Sequence, residues 1–276
     1  MPTPDRPDGS EDKFLERMSR ELAGWDNPVL RMRQALERDE FVLYCQPILA
    51  LQGSERFPLA EVLIRLREEE KGLLPPGDFL PVFEHYRMMP QLDRWVVRQT
   101  VRRLAQGSRM PCFTINVSSQ TLEDVEFPPF IARQVMTAGV PASALVFEID
   151  EHDALTRLPA AERFATAIRA IGGATLIDGF GHRLVSFAPL KRLQVRFVKL
   201  DGRIVRKILA SPLAEAKTRA VLRVGAALGI EVIAECVEEQ DILLRLKALG
   251  AAYVQGFGVF QAHPIERIAA GGALPA

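Results

Sequence analysis

Cysteine is scarce and unpaired in this sequence. The 276 residues contain three cysteines, Cys45, Cys112 and Cys236, without the spacing of a disulfide framework or of a zinc site. No apolar run reaches membrane-spanning length, and the N-terminus has no apolar signal core. Basic and acidic residues both number 35, so no net charge attracts nucleic acid polymers or a membrane. We therefore expect a cytoplasmic protein.

Common catalytic motifs are also missing. The four histidines share no ligand spacing such as HxxxH, and there is neither a GxSxG elbow nor a Walker-type phosphate loop. These absences argue against a histidine-ligated zinc site, a serine-hydrolase elbow and a P-loop NTPase.

The chain divides into a short N-terminal region and one long domain. Residues 1–27 begin as a Pro-, Asp- and Gly-rich tail and continue with apolar residues at helical spacing, which predicts an amphipathic helix. Asn27-Pro28 is a helix start, and that helix is expected to reach about Arg38. Residues 28–276 are predicted to form a single barrel domain.

Short apolar strands alternate with helices through this domain, which predicts a (β/α)8 barrel of the TIM type. The link between the first two strands is too short for a crossover helix, so we expect the first strand to run antiparallel. The eight predicted strands are Phe41–Ile48, Leu59–Ile64, Cys112–Asn116, Leu145–Glu148, Thr175–Asp178, Phe197–Lys199, Val232–Glu235 and Tyr253–Gln255.

Polar side chains stand at the ends of these strands. A single polar residue at the end of a strand would be interpreted as the N-cap of the next helix. A whole set at one rim of a barrel converges on one site, and its carboxylates would repel one another without a counter-ion. Oxygen ligands favour Mg²⁺ or Mn²⁺, so the pattern predicts a metal-dependent site for a phosphate or carbonyl ester. The residues are Asn116, Glu148, Asp178, Lys199, Glu235 and Gln255, with Glu61 in the second strand.

The same residues lie in motifs that resemble the EAL domain family of bacterial cyclic-di-GMP phosphodiesterases. The resemblance covers about residues 29–268. Ala60–Arg65 (AEVLIR) stands where the family usually has E-A-L-x-R, with Val62 in place of the alanine. The other matching segments, in chain order, are FTINVS, FEIDE, FVKLD, AECVE and YVQGF.

The resemblance implies a modified barrel with an antiparallel first strand and a two-metal hydrolysis of cyclic-di-GMP to linear pGpG. It assigns Mg²⁺ or Mn²⁺ to Glu61, Asn116, Glu148 and Asp178, and catalytic roles to Lys199, Glu235 and Glu238. It assigns nucleotide contacts to Gln46, Arg65, Asp201 and Gln255, and bracing of the loop after Asp178 to Glu151. Dimers are common in the family, so a homodimer and a protein signalling partner both stay open.

The sequence departs from the family at the second metal. The usual motif D-D-F-G-T-G-Y-S-S is replaced by residues 178–186, where Gly179 stands in place of the second aspartate. Glycine offers no ligand, so the second metal is in doubt. Loss of one preorganised charge partner costs on the order of 10²–10³ in rate. Cys236 also replaces the usual glycine, and the loop at residues 182–188 is altered.

Three functions follow as alternatives. The first is a domain that binds cyclic-di-GMP in bacterial second-messenger signalling, with hydrolysis weak or lost. The second is an active metal-dependent phosphodiesterase, which the retained ligands favour. The third is a nucleotide-free protein-interaction module, which the altered loop would allow.

Overall fold

The computed structural model describes residues 25, 27–53, 56–68, 72–181 and 187–269. The predicted N-terminal tail and amphipathic helix lie outside these residues except for Trp25 and Asn27. Residues 182–186 of the altered loop also lie outside them. The contacts of the chain divide into two units. One holds the described residues up to Val42 and Ile64–Met89, and the other holds Leu43–Leu63 and the described residues from Pro90 onwards.

The strands form one sheet in which eight members close into a barrel. All eight predicted strands are present, with bounds that shift by a few residues. Two short strands, β3 and β10, were not predicted. The strands are β1 (Phe41–Ala50), β2 (Leu59–Glu68), β3 (Gly72–Leu74), β4 (Phe113–Val117), β5 (Leu145–Asp150), β6 (Ala174–Phe180), β7 (Phe197–Leu200), β8 (Glu231–Ala234), β9 (Tyr253–Val254) and β10 (His263–Pro264).

The order of the strands confirms the predicted barrel. Strands β2 and β4 to β9 are joined by parallel pairings, and β1 closes the ring by pairing with both β9 and β2. Strand β1 runs antiparallel to β9, with Leu49 opposite Val254, as the short link from β1 to β2 predicted. Strand β10 pairs antiparallel with β1 outside the ring.

Helical periodicity in the sequence predicts helices near residues 76–86, 91–106, 128–138, 160–171, 185–193, 212–228, 239–248 and 264–270, and a helix is present in each of these segments. Three short helices, Ser119–Leu122, Glu151–Thr156 and Gly202–Val205, were not predicted. No helix among the described residues is both long and apolar enough to cross a membrane. The helices are α1 (Pro28–Glu37), α2 (Pro76–His85), α3 (Met89–Ala105), α4 (Ser119–Leu122), α5 (Phe127–Ala138), α6 (Glu151–Thr156), α7 (Leu158–Ala170), α8 (Ala188–Leu193), α9 (Gly202–Val205), α10 (Pro212–Leu228), α11 (Gln240–Leu249) and α12 (Ile265–Ala269).

The smaller unit is built around helices α1 and α2. Helix α1 begins as predicted, because the Asn27 side chain accepts a hydrogen bond from the Leu30 amide (3.0 Å) and Pro28 fills the first turn. Phe41 packs its ring 5.3 Å from that of Phe79 and 5.8 Å from that of Phe83, both on α2. These aromatic contacts form an apolar core of this unit.

The larger unit contains the barrel, whose interior is plugged by one apolar side chain from each of six strands. Side chains at positions i and i+2 of a strand face the same side, so the residue two positions beyond a plug residue also points into the barrel. The plug consists of Ile48, Leu59, Val146, Leu176, Phe197 and Ile233. The fold thereby fixes which strand residues reach the carboxyl-terminal mouth.

Candidate active site

Five of the seven polar residues predicted at the strand ends stand two positions beyond a barrel-plug residue. The pairs are Leu59 with Glu61, Val146 with Glu148, Leu176 with Asp178, Phe197 with Lys199, and Ile233 with Glu235. On the antiparallel strand β1, Gln46 precedes the plug residue Ile48 by two. Alternation along the strands therefore brings these side chains into one layer above the plug.

Lys199 is the centre of this layer. Its side chain is 1% exposed, and its ammonium nitrogen lies 2.7 Å from Glu61 Oε2 and 2.7 Å from Glu148 Oε2. Burial lowers the pKa of Lys199, but the charges of Glu148, Glu61 and Asp178 outweigh it and raise the pKa well above its usual value. Lys199 is therefore a fixed cation that holds two strands' carboxylates together.

Glu61 is held on both of its oxygens. The Asn116 amide donates to Oε1 (2.9 Å), and the Gln255 amide donates to Oε2 (2.7 Å). Burial raises the pKa of Glu61, but the Lys199 charge and the hydrogen bonds to the carboxylate outweigh it and lower the pKa. Glu61 is thus an ionised, preorganised carboxylate.

The chain of hydrogen bonds continues from Gln255 to Gln46. The Gln255 amide also donates to Gln46 Oε1 (3.1 Å), and Gln46 donates in turn to the carbonyl of Phe260 (2.8 Å). Gln46 and Gln255 are both buried. In this arrangement they position Glu61, and their nucleotide contacts stay a prediction.

Negative charge exceeds positive charge in the layer. Burial, followed by the charge of Glu61, raises the pKa of Glu148 to about 8. Burial, followed by the charge of Asp178, raises the pKa of Glu235 to about 7. Burial is also the main cause of the raised pKa of Asp178. One lysine does not compensate these carboxylates, which fits a site for an added cation.

The donor set also fits a hard divalent cation. Asp178 Oδ1 is buried and has no hydrogen-bond partner among the described residues, as expected of an oxygen placed for a metal. The nearby donors are the carboxylate and amide oxygens that Mg²⁺ and Mn²⁺ prefer. No three His, Cys, Asp or Glu side chains of the described chain form a ready cage, because Glu61 and Glu148 direct oxygens to Lys199.

The other predicted residues surround this layer or lie apart from it. Glu151 accepts a hydrogen bond from the Gly181 amide (2.8 Å), immediately before the altered loop. Asp201 is buried and accepts from the Arg203 guanidinium (2.6 Å), and exposed Glu238 pairs with Arg206 (3.3 Å). Arg65 belongs to the smaller unit, where its guanidinium donates to the carbonyl of Ile64 (2.8 Å).

Sequence reasoning missed Thr114 and Asp93. The fully buried Thr114 hydroxyl donates to Glu148 Oε1, and it stands two positions before Asn116 on β4. Strand alternation could have found it. Buried Asp93 on α3 accepts from the amide (3.1 Å) and hydroxyl (2.8 Å) of Ser118 and so fixes the turn after β4. No local signal in the sequence identifies that contact.

A closed α/β barrel with an oxygen-rich mouth around a buried lysine defines a class of proteins whose site chemistry lies at the carboxyl ends of the strands. The EAL domain family model matches residues 30–262, and the chain belongs to this family.

Similar proteins with curated names are longer than this chain. Cyclic di-GMP phosphodiesterase PdeB of Shewanella oneidensis is 31% identical over 239 residues, which cover 86% of this chain and 28% of that protein. Cyclic di-GMP phosphodiesterase PdeF of Escherichia coli is 28% identical over 262 residues, which cover 94% of this chain and 35% of that protein. The chain therefore spans about a third of the length of these relatives.

Solved structures share the fold across nearly their whole chains. The FimX EAL domain from Pseudomonas aeruginosa bound to c-di-GMP has a TM-score of 0.81 and 28% identity, and the match covers 86% of this chain and 96% of that one. The PaMucR phosphodiesterase in complex with c-di-GMP has a TM-score of 0.80 and 26% identity, and the match covers 87% of this chain and 99% of that one.

Proposed function

We propose that this chain is a cyclic-di-GMP-binding EAL domain whose hydrolysis of the nucleotide to pGpG is slow. The observation that carries the proposal is the layer of Glu61, Asn116, Glu148 and Lys199 at the barrel mouth, joined by contacts of 2.7–2.9 Å. Two solved structures of the same fold are described as complexes with c-di-GMP, which supports this ligand.

In the proposed site, Glu61, Asn116, Glu148 and Asp178 hold Mg²⁺ or Mn²⁺. When bound, the cation supplies positive charge at the phosphodiester. Lys199 balances the charge of Glu61 and Glu148 and positions the attacking water, and Glu235 or Glu238 takes a proton from that water. Glu151 holds the Gly181 amide and so braces the start of the following loop.

Gly179 is the reason to expect slow turnover. Where relatives with a second aspartate have a carboxylate, this residue has no side chain. Loss of a single preorganised charge partner slows catalysis by on the order of 10²–10³. We expect the remaining nucleotide contacts, from Gln46, Arg65, Asp201 and Gln255, to be affected less than the rate.

A second candidate function is that of a fully active phosphodiesterase. It is favoured by the retention of every other predicted ligand around Lys199 and by two relatives named as phosphodiesterases.

Two measurements on the same preparation test the proposal. Calorimetry with cyclic-di-GMP in Ca²⁺ is expected to show binding, and chromatography after incubation with Mg²⁺ or Mn²⁺ is expected to show slow formation of pGpG. Glu61→Gln, which removes a central carboxylate, should abolish the slow product, and Glu162→Gln on α7 is the matched surface control. Absence of binding heat at high micromolar nucleotide would refute the proposal. Turnover equal to that of an active relative assayed in parallel would favour the second candidate.

A further inference from the structure

The backbone at Gly179 leaves a space that other carboxylates border. Gly179 adopts a left-handed conformation with φ +66°. A Cβ atom built on it would lie 3.9 Å from Asp201 Oδ2 and 4.0 Å from Asp150 Oδ2, with nothing closer. A side chain at this position would therefore begin within 4.0 Å of both of these oxygens.

Asp201 is already compensated. The Arg203 guanidinium lies 2.9 Å from Oδ1 through Nε and 2.6 Å from Oδ2 through Nη2, and the Arg203 amide also donates to Oδ1 (2.7 Å). This two-pronged pairing uses both oxygens of Asp201. Asp201 therefore contributes little free negative charge to the space beside Gly179.

Asp150 is different, because one of its oxygens is fixed by the fold and the other is left over. It is the last residue of β5 and stands opposite Asp178 of β6 in the sheet register. Its Oδ1 accepts from the His152 amide (2.7 Å) at the start of α6, which fixes the side chain. The other oxygen, Asp150 Oδ2, borders the space at Gly179 and makes no hydrogen bond with any of the described residues.

We propose that Asp150 replaces, from the neighbouring strand, the carboxylate that Gly179 lacks, and that its Oδ2 serves with Asp178 as a ligand of the second divalent cation. Because this ligand comes from a different position, the ion binds but is displaced, which keeps turnover slow. The inference rests on the proposed function, because it assumes a divalent-cation site at this barrel mouth. The buried oxygen Oδ1 of Asp178, which has no hydrogen-bond partner among the described residues, supplies the other half of the ligand pair. In this assignment the ligand comes from the end of β5, whereas relatives with a second aspartate carry it near the end of β6.

Titration of the metal-stripped full chain with MnCl₂ in a calorimeter, without nucleotide, tests this assignment. We expect two Mn²⁺ ions per wild-type chain. Asp150→Asn and Asp150→Ser both keep a residue that caps a helix well, so α6 should still form. Loss of an outer-shell partner typically weakens metal binding 10–100-fold, and loss of a direct ligand should weaken the second ion by at least 10-fold.

A control and a rescue variant complete the design. Asp124→Asn is the control, because the Asp124 carboxylate accepts from the amide two residues on, that of Glu126 (2.9 Å), as Asp150 does from His152. It should leave the affinity for both Mn²⁺ ions unchanged. Gly179→Asp, at a left-handed position that aspartate tolerates better than most residues, should restore the second ion in the Asp150→Ser background. In the wild type, Gly179→Asp should raise the affinity for the second ion much less, because Asp150 already supplies a ligand there.

Each outcome decides the inference. One Mn²⁺ ion in the wild type, or a second ion whose affinity changes less than twofold in both Asp150 variants, would overturn it. Calorimetry with cyclic-di-GMP on the same samples separates this result from the proposed function. If the nucleotide does not bind but the second ion is lost with Asp150, the proposed function fails and the metal assignment stands.

Discussion

Replacing Lys199 with methionine removes the only ammonium that contacts Glu61 and Glu148 among the described residues, while the length of the side chain is nearly kept. The lysine is 1% exposed and makes two ion pairs of 2.7 Å. Removing one partner of a buried ion pair costs about 3–5 kcal/mol of unfolding free energy, because the other partner is left charged and buried. For a chain of 276 residues, that loss corresponds to a Tm decrease of roughly 6–20 °C.

The unfolding free energy lost in Lys199→Met should depend on pH, and the pKa values of the neighbouring carboxylates determine whether the loss grows or shrinks as pH rises. In the metal-free wild type, Glu148 has a pKa raised from 4.5 to about 8, so the folded state binds more protons than the unfolded state between these values. Stability therefore falls as pH rises through this window. In Lys199→Met the pKa of Glu61, now lowered by Lys199, should rise as well. We expect the variant to lose more stability at pH 8 than at pH 5.

Thermal melts followed by circular dichroism in EDTA at pH 5 and pH 8 measure both effects. Lys207→Met, at an exposed lysine, is the matched control and should change Tm by no more than about 1–2 °C. A Tm loss that is the same at both pH values, or a loss below about 1 kcal/mol at pH 8, would show that Lys199 does not carry the charge balance of the mouth.

Three further predictions concern the loops around the mouth. Cys236 has φ 57°, a conformation that costs an L-residue about 1–2 kcal/mol, so Cys236→Gly should raise the unfolding free energy in urea by about 0.5–1 kcal/mol. A Cβ on Gly202 would clash with the Cys236 side chain, so Gly202→Ala should destabilise the wild type and be better tolerated with Cys236→Gly; equal losses in the two backgrounds would contradict this. Asp93→Asn should lower the unfolding free energy by about 1–3 kcal/mol, since it disturbs a buried acceptor of two hydrogen bonds from Ser118, and an unchanged urea midpoint would contradict that role.

The fold was largely predictable because its strands are short apolar runs that end in polar residues. Except for the antiparallel β1, each such run gives a parallel strand, and helical periodicity marks the segments between the strands. The bounds were less predictable. Strands β5 and β6 continue two residues beyond Glu148 and Asp178, because backbone pairing with the neighbouring strand does not stop at the functional residue. Strand β10 and helix α6 are too short to produce a periodic signal.

The position of the central candidate residues at the barrel mouth was predictable for the same reason, but their contacts were not. Strand ends identified Asn116, Glu148 and Lys199 without any knowledge of which atoms meet. The bond between Gln255 and Gln46 joins residues 209 positions apart, and it depends on the antiparallel β1 lying next to β9. Such a contact comes from tertiary packing, and no local pattern in the sequence specifies it.

The barrel separates the residues that hold the fold from those of the candidate site. Plug residues such as Leu176 are fully buried, and their replacement would open a cavity. The rim residue two positions later faces the mouth. One position beyond it, Gly179 lies in the irregular stretch of β6, where an added Cβ atom would meet nothing closer than 3.9 Å. A side chain there would pack against little, and the left-handed backbone (φ +66°) favours glycine, so glycine at this position costs the fold nothing. The same freedom allows a neighbouring strand end, that of Asp150, to provide the missing charge.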